Sequence, residues 1–338
     1  MKTFLVAELS ANHGHRLETA LETVRAAAAA GADAIKIQTY TADTLTIDCD
    51  DEHFRIGHGT LWDGQTLYRL YQAAYTPWEW HEALRDEARA CGLVFFSTPF
   101  DPTAVDFLET LGVPIYKIAS FELVDLPLIE YTASKGKPMI LSTGLASLDD
   151  IGAAVAACRR VGNEDITLLK CTSSYPAPLD EANLRTLPDL AARFGTRVGL
   201  SDHTMGPVAP LAAVALGATV VEKHFILDRA VGGPDASFSM LPAEFAEMAR
   251  LVRDLEKTLG EVRYDVTPAA AGNVFFRRSL FVTADMRAGE AFTKANLRSI
   301  RPGNGLPPVH LPALLGRRAA RDLRRGTPLA WDMVAPED

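Results

Sequence analysis

Apolar residues along this chain recur in two alternating rhythms. Short runs rich in β-branched and aromatic residues (FLVAEL, AIKIQ, LVFFS, IYKIA, MILS, ITLLK, RVGL and TVVEKHF) alternate with longer, often Ala-rich stretches of helical character. The helical stretches stop at Gly31, Gly92, Gly112, Gly136, Gly162, Gly195, Gly217 and Gly260. Glycine one position past a helix accepts the left-handed backbone that closes the last turn, so each marks a helix end. The pattern predicts eight strands, each followed by a helix, which implies parallel strands joined by helical crossovers. Eight such units over about 260 residues fit a closed (β/α)8 TIM barrel. A doubly wound open sheet is the competing arrangement, but it usually has fewer units, and no G-x-G-x-x-G follows the first strand.

Two places break the alternation. From Thr39 to Thr76 about 35 residues intervene, among them Tyr40, Phe54, Trp62, Tyr68, Tyr71 and Tyr75. A connection of that length is functional or partly helical, and it leaves the C-terminal end of strand two, so it is expected to form part of a substrate wall. It ends at Thr76-Pro77-Trp78-Glu79, which predicts a helix start capped by the Thr76 hydroxyl with proline at the first position. After Gly260 the helix–strand alternation ceases. The expected organisation is a barrel over 1–262, a linker over 263–276 and a small, mostly β domain over 277–338, with turns at Arg287-Ala288-Gly289-Glu290 and Arg325-Gly326-Thr327-Pro328. At about 60 residues the second domain is marginal on its own, so it is expected to pack against something.

Strand alternation then sorts the polar residues. Glu8 ends strand one, Lys36 and Gln38 share a face of strand two, and Ser97 and Thr98 end strand three. Lys117, Ser120 and Glu122 follow on strand four and its loop, Ser142 and Thr143 end strand five, and Lys170, Thr172 and Ser173 end strand six. Ser201 and His203 share a face of strand seven, as do Glu222 and His224 on strand eight. Three lysines, Lys36, Lys117 and Lys170, are thereby expected at one rim, where a small polyanion is the simplest occupant. Singly, His203 and His224 are as readily hydrogen-bonded core residues. On adjacent strands at one level, two imidazoles can meet at one ion, with Glu8 as a further candidate. Such incomplete, oxygen-rich coordination favours Mn²⁺ or Mg²⁺ over a structural Zn²⁺ cage.

Charge and cysteine content narrow the setting. The net charge is −9, divided into +5 over 276–338 and −14 over the rest. A basic tail on an acidic body is consistent with an anionic partner or with attraction between the two domains; the dispersed arginines favour the latter and do not form a nucleic-acid-binding patch. Cys49, Cys91, Cys158 and Cys171 show no C-x-x-C pair or metal-ligand spacing, so free thiols are expected. The first apolar run is cut short at Glu8, too early for a signal peptide, and no stretch approaches the roughly 18–20 apolar residues of a membrane span. The composition reads as that of a cytoplasmic protein.

The strings AELSANHGH, IKIQTYTADTL, FFSTPFD, YKIASFEL, LSTGLAS, KCTSSYP, GLSDHT, EKHF and RPGNG, in this order, resemble the sialic acid synthase family over nearly the whole chain. The C-terminal segment is similar to type III antifreeze protein, the SAF domain. Within the family, GTLWDGQTLYRLYQAAYTPWEWH and GGPDASFSM look most like the pseudaminic acid synthases. The resemblance implies condensation of phosphoenolpyruvate with an open-chain amino-sugar aldehyde to a nine-carbon nonulosonic acid, with release of phosphate. Pseudaminic acid from 2,4-diacetamido-2,4,6-trideoxy-L-altrose is the product it favours; legionaminic and N-acetylneuraminic acids are the alternatives. It implies that Lys36, Gln38, Thr98, Lys117, Ser120, Ser173 and Ser201 hold phosphoenolpyruvate, and that His203 and His224 hold a divalent metal, Mn²⁺ or Mg²⁺, with Co²⁺ admissible. Glu8 and Glu122 match acidic residues beside the reacting carbons, and Tyr175 and Asp235 match sugar contacts. Arg301 matches an arginine that reaches the other subunit's barrel in a domain-swapped homodimer. One departure stands out: where N-acetylneuraminate synthases typically carry CTN, this chain has CTS at Cys171 to Ser173.

Two rivals differ in class. Lys170, ending strand six, is placed as a Schiff-base nucleophile would be in an aldolase. A catalytically silent barrel whose C-terminal domain binds carbohydrate is the other, and fold alone decides neither.

Overall fold

The computed structural model describes residues 2–57 and 59–336; Met1, His58, Glu337 and Asp338 lie outside them. The chain divides into two compact units, Met1–Gly260 and Glu261–Asp338.

In the first unit eight parallel strands close into a barrel in sequence order. They are β1 (Phe4–Glu8), β2 (Ala34–Thr39), β3 (Val94–Pro99), β4 (Tyr116–Ile118), β5 (Met139–Ser142), β6 (Ile166–Cys171), β7 (Arg197–Asp202) and β8 (Val220–His224). Register fixes the closure: Glu8 of β1 faces Lys36 of β2 on one side and His224 of β8 on the other. The helices in chain order are α1 (Leu17–Ala29), α2 (Ala42–Leu45), α3 (Leu67–Ala74), α4 (His81–Ala90), α5 (Pro102–Leu111), α6 (Leu126–Ala133), α7 (Leu148–Arg160), α8 (Thr186–Phe194), α9 (Val208–Ala215) and α10 (Pro242–Leu259). α1 and α4 to α9 cross from each strand to the next, and α10 follows β8. The expected stop signals are present: Gly112 past α5 and Gly195 past α8 both hold the left-handed conformation. At the start of α5, Asp101 accepts from the Ala104 N–H at 3.0 Å, and Pro102 opens the first turn.

Two cores lie on either side of the barrel wall. Outward-facing Leu5, Ile35, Tyr116, Leu141, Leu168 and Val221 pack with the helices. Inside, Val6, Ala34, Phe96, Ile140, Leu169 and Val220 fill the lower lumen. Gly199 sits among them because a Cβ there would stand 2.5 Å from the Val220 carbonyl and 2.6 Å from a Leu169 methyl. The floor is therefore solid and apolar, and the lumen opens only toward the C-terminal strand ends.

The connection from β2 to α4 carries α2 and α3 and an isolated bridge between Arg55 and Thr66. Its end departs from expectation. Residues Trp78–Trp80 form a 3-10 turn before α4 begins at His81, and no side chain caps α4. The Thr76 hydroxyl is buried and turned to His13 Nε2 at 3.5 Å, so it is not free to cap.

The second unit starts with 3-10 turns over Pro268–Phe276, then pairs β9 (Ser279–Val282) antiparallel with β10 (Leu297–Ile300). Further bridges, such as Met286 to Leu323 and Ala319 to Val334, hold the rest around a core of Leu280, Met286, Phe292, Leu297 and Leu329. Gly289 and Gly326, in the two anticipated turns, have positive φ. No helix among the described residues is long and apolar enough to cross a membrane.

Candidate active site

Above the apolar floor each strand presents its next inward residue, and these are polar. Glu8, Lys36, Thr98, Lys117, Ser142, Cys171, Ser201 and Glu222 line the base of a cavity of about 540 Å³, a volume in the range of small-molecule sites. Gln38, Ser120, Glu122, Tyr175, His203, His224 and Asp235 surround it higher up. The connection after β2 closes one side with Tyr40, Ile56, Trp62, Leu70 and Tyr71, so the expected wall is present. Trp62 is fixed by its indole N–H, which donates to the Pro234 carbonyl at 3.2 Å, and its ring lies 5.7 Å from that of Tyr175.

The base is a compact charge cluster. Lys36 Nζ lies 2.6 Å from Glu8 Oε2, 3.6 Å from Glu222 Oε1 and 3.2 Å from the Thr98 hydroxyl. Lys117 Nζ lies 3.7 Å from the same Glu222 oxygen. Burial opposes every charge here, and the partners decide the outcome. Glu222, between two ammonium groups, is held below the usual carboxylate range against its own burial. Burial pushes Glu8 up to about 7, with Lys36 opposing and Glu222 reinforcing the rise. Lys117 is lowered by burial more than Glu222 can restore, whereas Lys36, with two carboxylates, is raised despite burial. Two ammonium groups with hydroxyls around them can hold a phosphate and a carboxylate.

Glu122 stands apart. Its Oε2 is buried without a hydrogen-bond partner, and burial pushes the carboxyl up to about 7 despite Lys117. Ser120 and Ser173 hydroxyls meet at 2.8 Å. Gly144 permits this, since a Cβ there would stand 2.2 Å from Ser173 Oγ.

His203 and His224 come together at the mouth, their ring centroids 5.3 Å apart. His203 Nδ1 is 3.0 Å from the Thr172 carbonyl, which fixes a tautomer with Nε2 free to act as a ligand. Burial, with His203 and Lys36 adding, holds His224 well below the usual imidazole range, so it is neutral with lone pairs available. Its Nδ1 is buried without a hydrogen-bond partner and lies 3.8 Å from Asp235 Oδ2. Among the described residues no three His, Cys, Asp or Glu side chains form a ready metal cage. The donor set nevertheless fits an open site of two imidazoles whose other positions fall to water and substrate.

Two expectations need revision. Lys170 does not line the cavity; Leu169 and Cys171 take the inward positions of β6, so Lys170 between them faces outward, its Nζ donating to Cys171 O and Thr172 Oγ1. Ser97 likewise faces outward, bonded to Thr39. Two lysines, not three, reach the rim. Conversely, Glu222, which the strand period only places on one face with His224, is the carboxylate both lysines share. Cys171, read as an ordinary thiol, lines the cavity 3.9 Å from His203 Nδ1. All four cysteines are free. Arg301, directly after β10 in the second unit, is exposed.

Comparison with known proteins bears on the family and the fold. A model of the NeuB family matches residues 23–264, and a model of the SAF domain matches 277–335. Pseudaminic acid synthase of Helicobacter pylori is 46% identical over 331 residues, 98% of this chain and 97% of that protein. The N,N'-diacetyllegionaminic acid synthase of Legionella pneumophila is 36% identical, over 99% of this chain and 95% of its own length. Among solved structures, the N-acetylneuraminic acid synthetase of Leptospira borgpetersenii, in complex with citrate, superposes with a TM-score of 0.72 at 31% identity, covering 81% of this chain and 90% of that one. The chain belongs to the NeuB family of sialic acid synthases, enzymes that form a carbon–carbon bond, and carries an SAF domain after its barrel.

Proposed function

We propose that the chain condenses phosphoenolpyruvate with an open-chain 2,4-diacetamido-2,4,6-trideoxy-L-altrose to give pseudaminic acid and phosphate. The observation that carries this reading is the buried pair Lys36 and Lys117 below two imidazoles in one cavity, in a chain 46% identical to a pseudaminic acid synthase. The lysines, with Thr98, Ser120, Ser173, Ser201 and Gln38, orient phosphoenolpyruvate so that its C3 faces the aldehyde carbon, held on the side of Tyr175 and Asp235. A divalent cation on His203 and His224, Mn²⁺, Mg²⁺ or Co²⁺, supplies Lewis acidity toward a carbonyl oxygen when bound. C3 forms the new carbon–carbon bond as the aldehyde π bond opens and its oxygen takes a proton to become a hydroxyl, the C2 cation left behind takes a water molecule, and Glu122 or Glu8 accepts that water's proton. Collapse of the C2 adduct breaks the C2–O bond to phosphate and leaves the keto acid. A carboxyl titrating near 7 suits such proton traffic, and fixed ammonium groups stabilise the departing phosphate without reorganising water. The working unit in this reading is a homodimer in which Arg301 of one chain completes the other chain's sugar site.

The test is incubation with phosphoenolpyruvate, Mn²⁺ and a panel of 2-acetamido and 2,4-diacetamido sugars, reading phosphate release and product mass. Turnover is expected with the 2,4-diacetamido-6-deoxy sugar above the others; preference for N-acetylmannosamine would shift the assignment to N-acetylneuraminic acid. A pyruvate adduct trapped at Lys170 by borohydride would replace the synthase reading with an aldolase.

A further inference from the structure

Behind the two histidines, on the faces of β7 and β8 turned away from the lumen, lies a buried ion pair that the condensation chemistry does not use. Asp202 and Lys223 are partners in the β7–β8 ladder. Lys223 Nζ stands 2.5 Å from Asp202 Oδ2, and each side chain is only 2% exposed. The same ammonium donates to the Thr204 carbonyl. The Asp202 carboxylate also accepts from the Thr204 N–H at 3.0 Å and from its hydroxyl at 3.1 Å. In the chain, His203 lies between Asp202 and Thr204, and His224 follows Lys223. The residues on both sides of one imidazole are thus tied to the residue that precedes the other.

Stability alone does not account for the pair. Two charges withdrawn from water lose hydration that their attraction offsets only with good geometry, and apolar residues of similar volume often hold a core as well or better. The ladder from Gly199–Val220 to Asp202–Lys223 already joins the strands, and its other outward positions, Leu200 and Val221, are apolar. What a directional charged clasp adds to an apolar contact is a fixed geometry. His224 has need of one, because its Nδ1 has no hydrogen-bond partner of its own and its placement is inherited from the strand.

We propose that Asp202, Lys223 and Thr204 are positioning residues that set the separation and orientation of the His203 and His224 imidazoles for a shared divalent cation. The inference rests on reading those histidines as the cation's ligands and adds what makes them a site. Groups behind a metal's ligands commonly govern affinity by ten- to a hundredfold.

The test is Mn²⁺ binding to the metal-free full-length protein, followed by the electron paramagnetic resonance signal of the free ion, beside the thermal midpoint without metal. The double variant Asp202→Leu/Lys223→Met removes the clasp without leaving a buried unpaired charge. It is expected to melt somewhat below wild type, because the buried Thr204 N–H, hydroxyl and carbonyl lose their partners, and when folded to bind Mn²⁺ about ten- to a hundredfold more weakly. Thr204→Val deletes one hydroxyl, is expected to weaken binding several-fold, and decides the matter if the double variant does not fold. His203→Ala separates the two layers of the argument. If it binds Mn²⁺ like wild type, the histidine reading fails and the clasp with it. If it abolishes binding while the folded clasp variants retain wild-type affinity, the clasp is overturned and the histidine assignment stands.

Discussion

Glu122 holds a carboxylate oxygen in a buried position with no hydrogen-bond partner, and its pKa near 7 lies above the ordinary 4.5. Ionisation therefore opposes folding. The group's contribution to stability is fully present below about pH 4.5 and is lost as the pH rises through 7, a difference of about 3 kcal/mol. Glu122→Gln cannot ionise, so it is expected to stabilise the ligand-free protein by up to that amount at pH 8 and hardly at all at pH 4.5, while lowering turnover. Denaturant midpoints of both proteins across this range check it; a gap independent of pH would contradict it. Lys117→Ala tests the other end of the cavity. Losing one ammonium–phosphate contact, worth roughly 1.5–3 kcal/mol, should raise the KM for phosphoenolpyruvate about tenfold to a hundredfold. If only the sugar's KM moved, the phosphate role would be wrong. At this scale the strand period showed which face most polar residues occupy. It misled where a strand end was blurred, because Lys170 and Thr172 share one parity and Leu169 and Cys171 the other, and only the barrel's closure tells which is inward.

At the scale of elements, the segment between β2 and α4 is the one whose form the chain conceals. The barrel strands and helix ends were legible because glycine stops and apolar runs obey local rules, and each stop carries a positive φ. The β2–α4 connection obeys no single period. Its helices α2 and α3 are short, and Trp62 is held by a carbonyl 172 positions away in sequence. Thr76 shows the same limit, since its cap-like motif yields to a contact with His13 far upstream. The wall it builds is testable. Trp62→Ala removes an aromatic side chain between the cavity mouth and Tyr175, and roughly 1.5–3 kcal/mol of apolar contact should appear as a tenfold or greater rise in the sugar's KM. The KM for phosphoenolpyruvate should stay near wild type. Steady-state kinetics with each substrate varied separately distinguish the two.

Across the whole molecule, the acidic body and basic tail visible in composition correspond to two compact units with separate cores. Composition does not say where Arg301 acts; in the proposed reading it serves a second chain's barrel. Mixing Arg301→Ala with His203→Ala protein answers it. If subunits exchange, mixed dimers contain one barrel in which both defects meet and one in which both groups are intact, so activity should return although each parent is inactive. No recovery despite verified exchange would place Arg301 at its own barrel or at none.

The central claim, condensation of phosphoenolpyruvate within this lysine-lined cavity, is tested most directly by one labelling measurement. Phosphoenolpyruvate carrying ¹⁸O in the bridge between C2 and phosphorus is supplied with Mn²⁺ and 2,4-diacetamido-2,4,6-trideoxy-L-altrose, and both products are weighed by mass spectrometry. The account predicts that phosphate retains the label and the nine-carbon acid does not, because water attacks C2 and the C2–O bond breaks. Label in the acid, or no phosphate released at all, would contradict it.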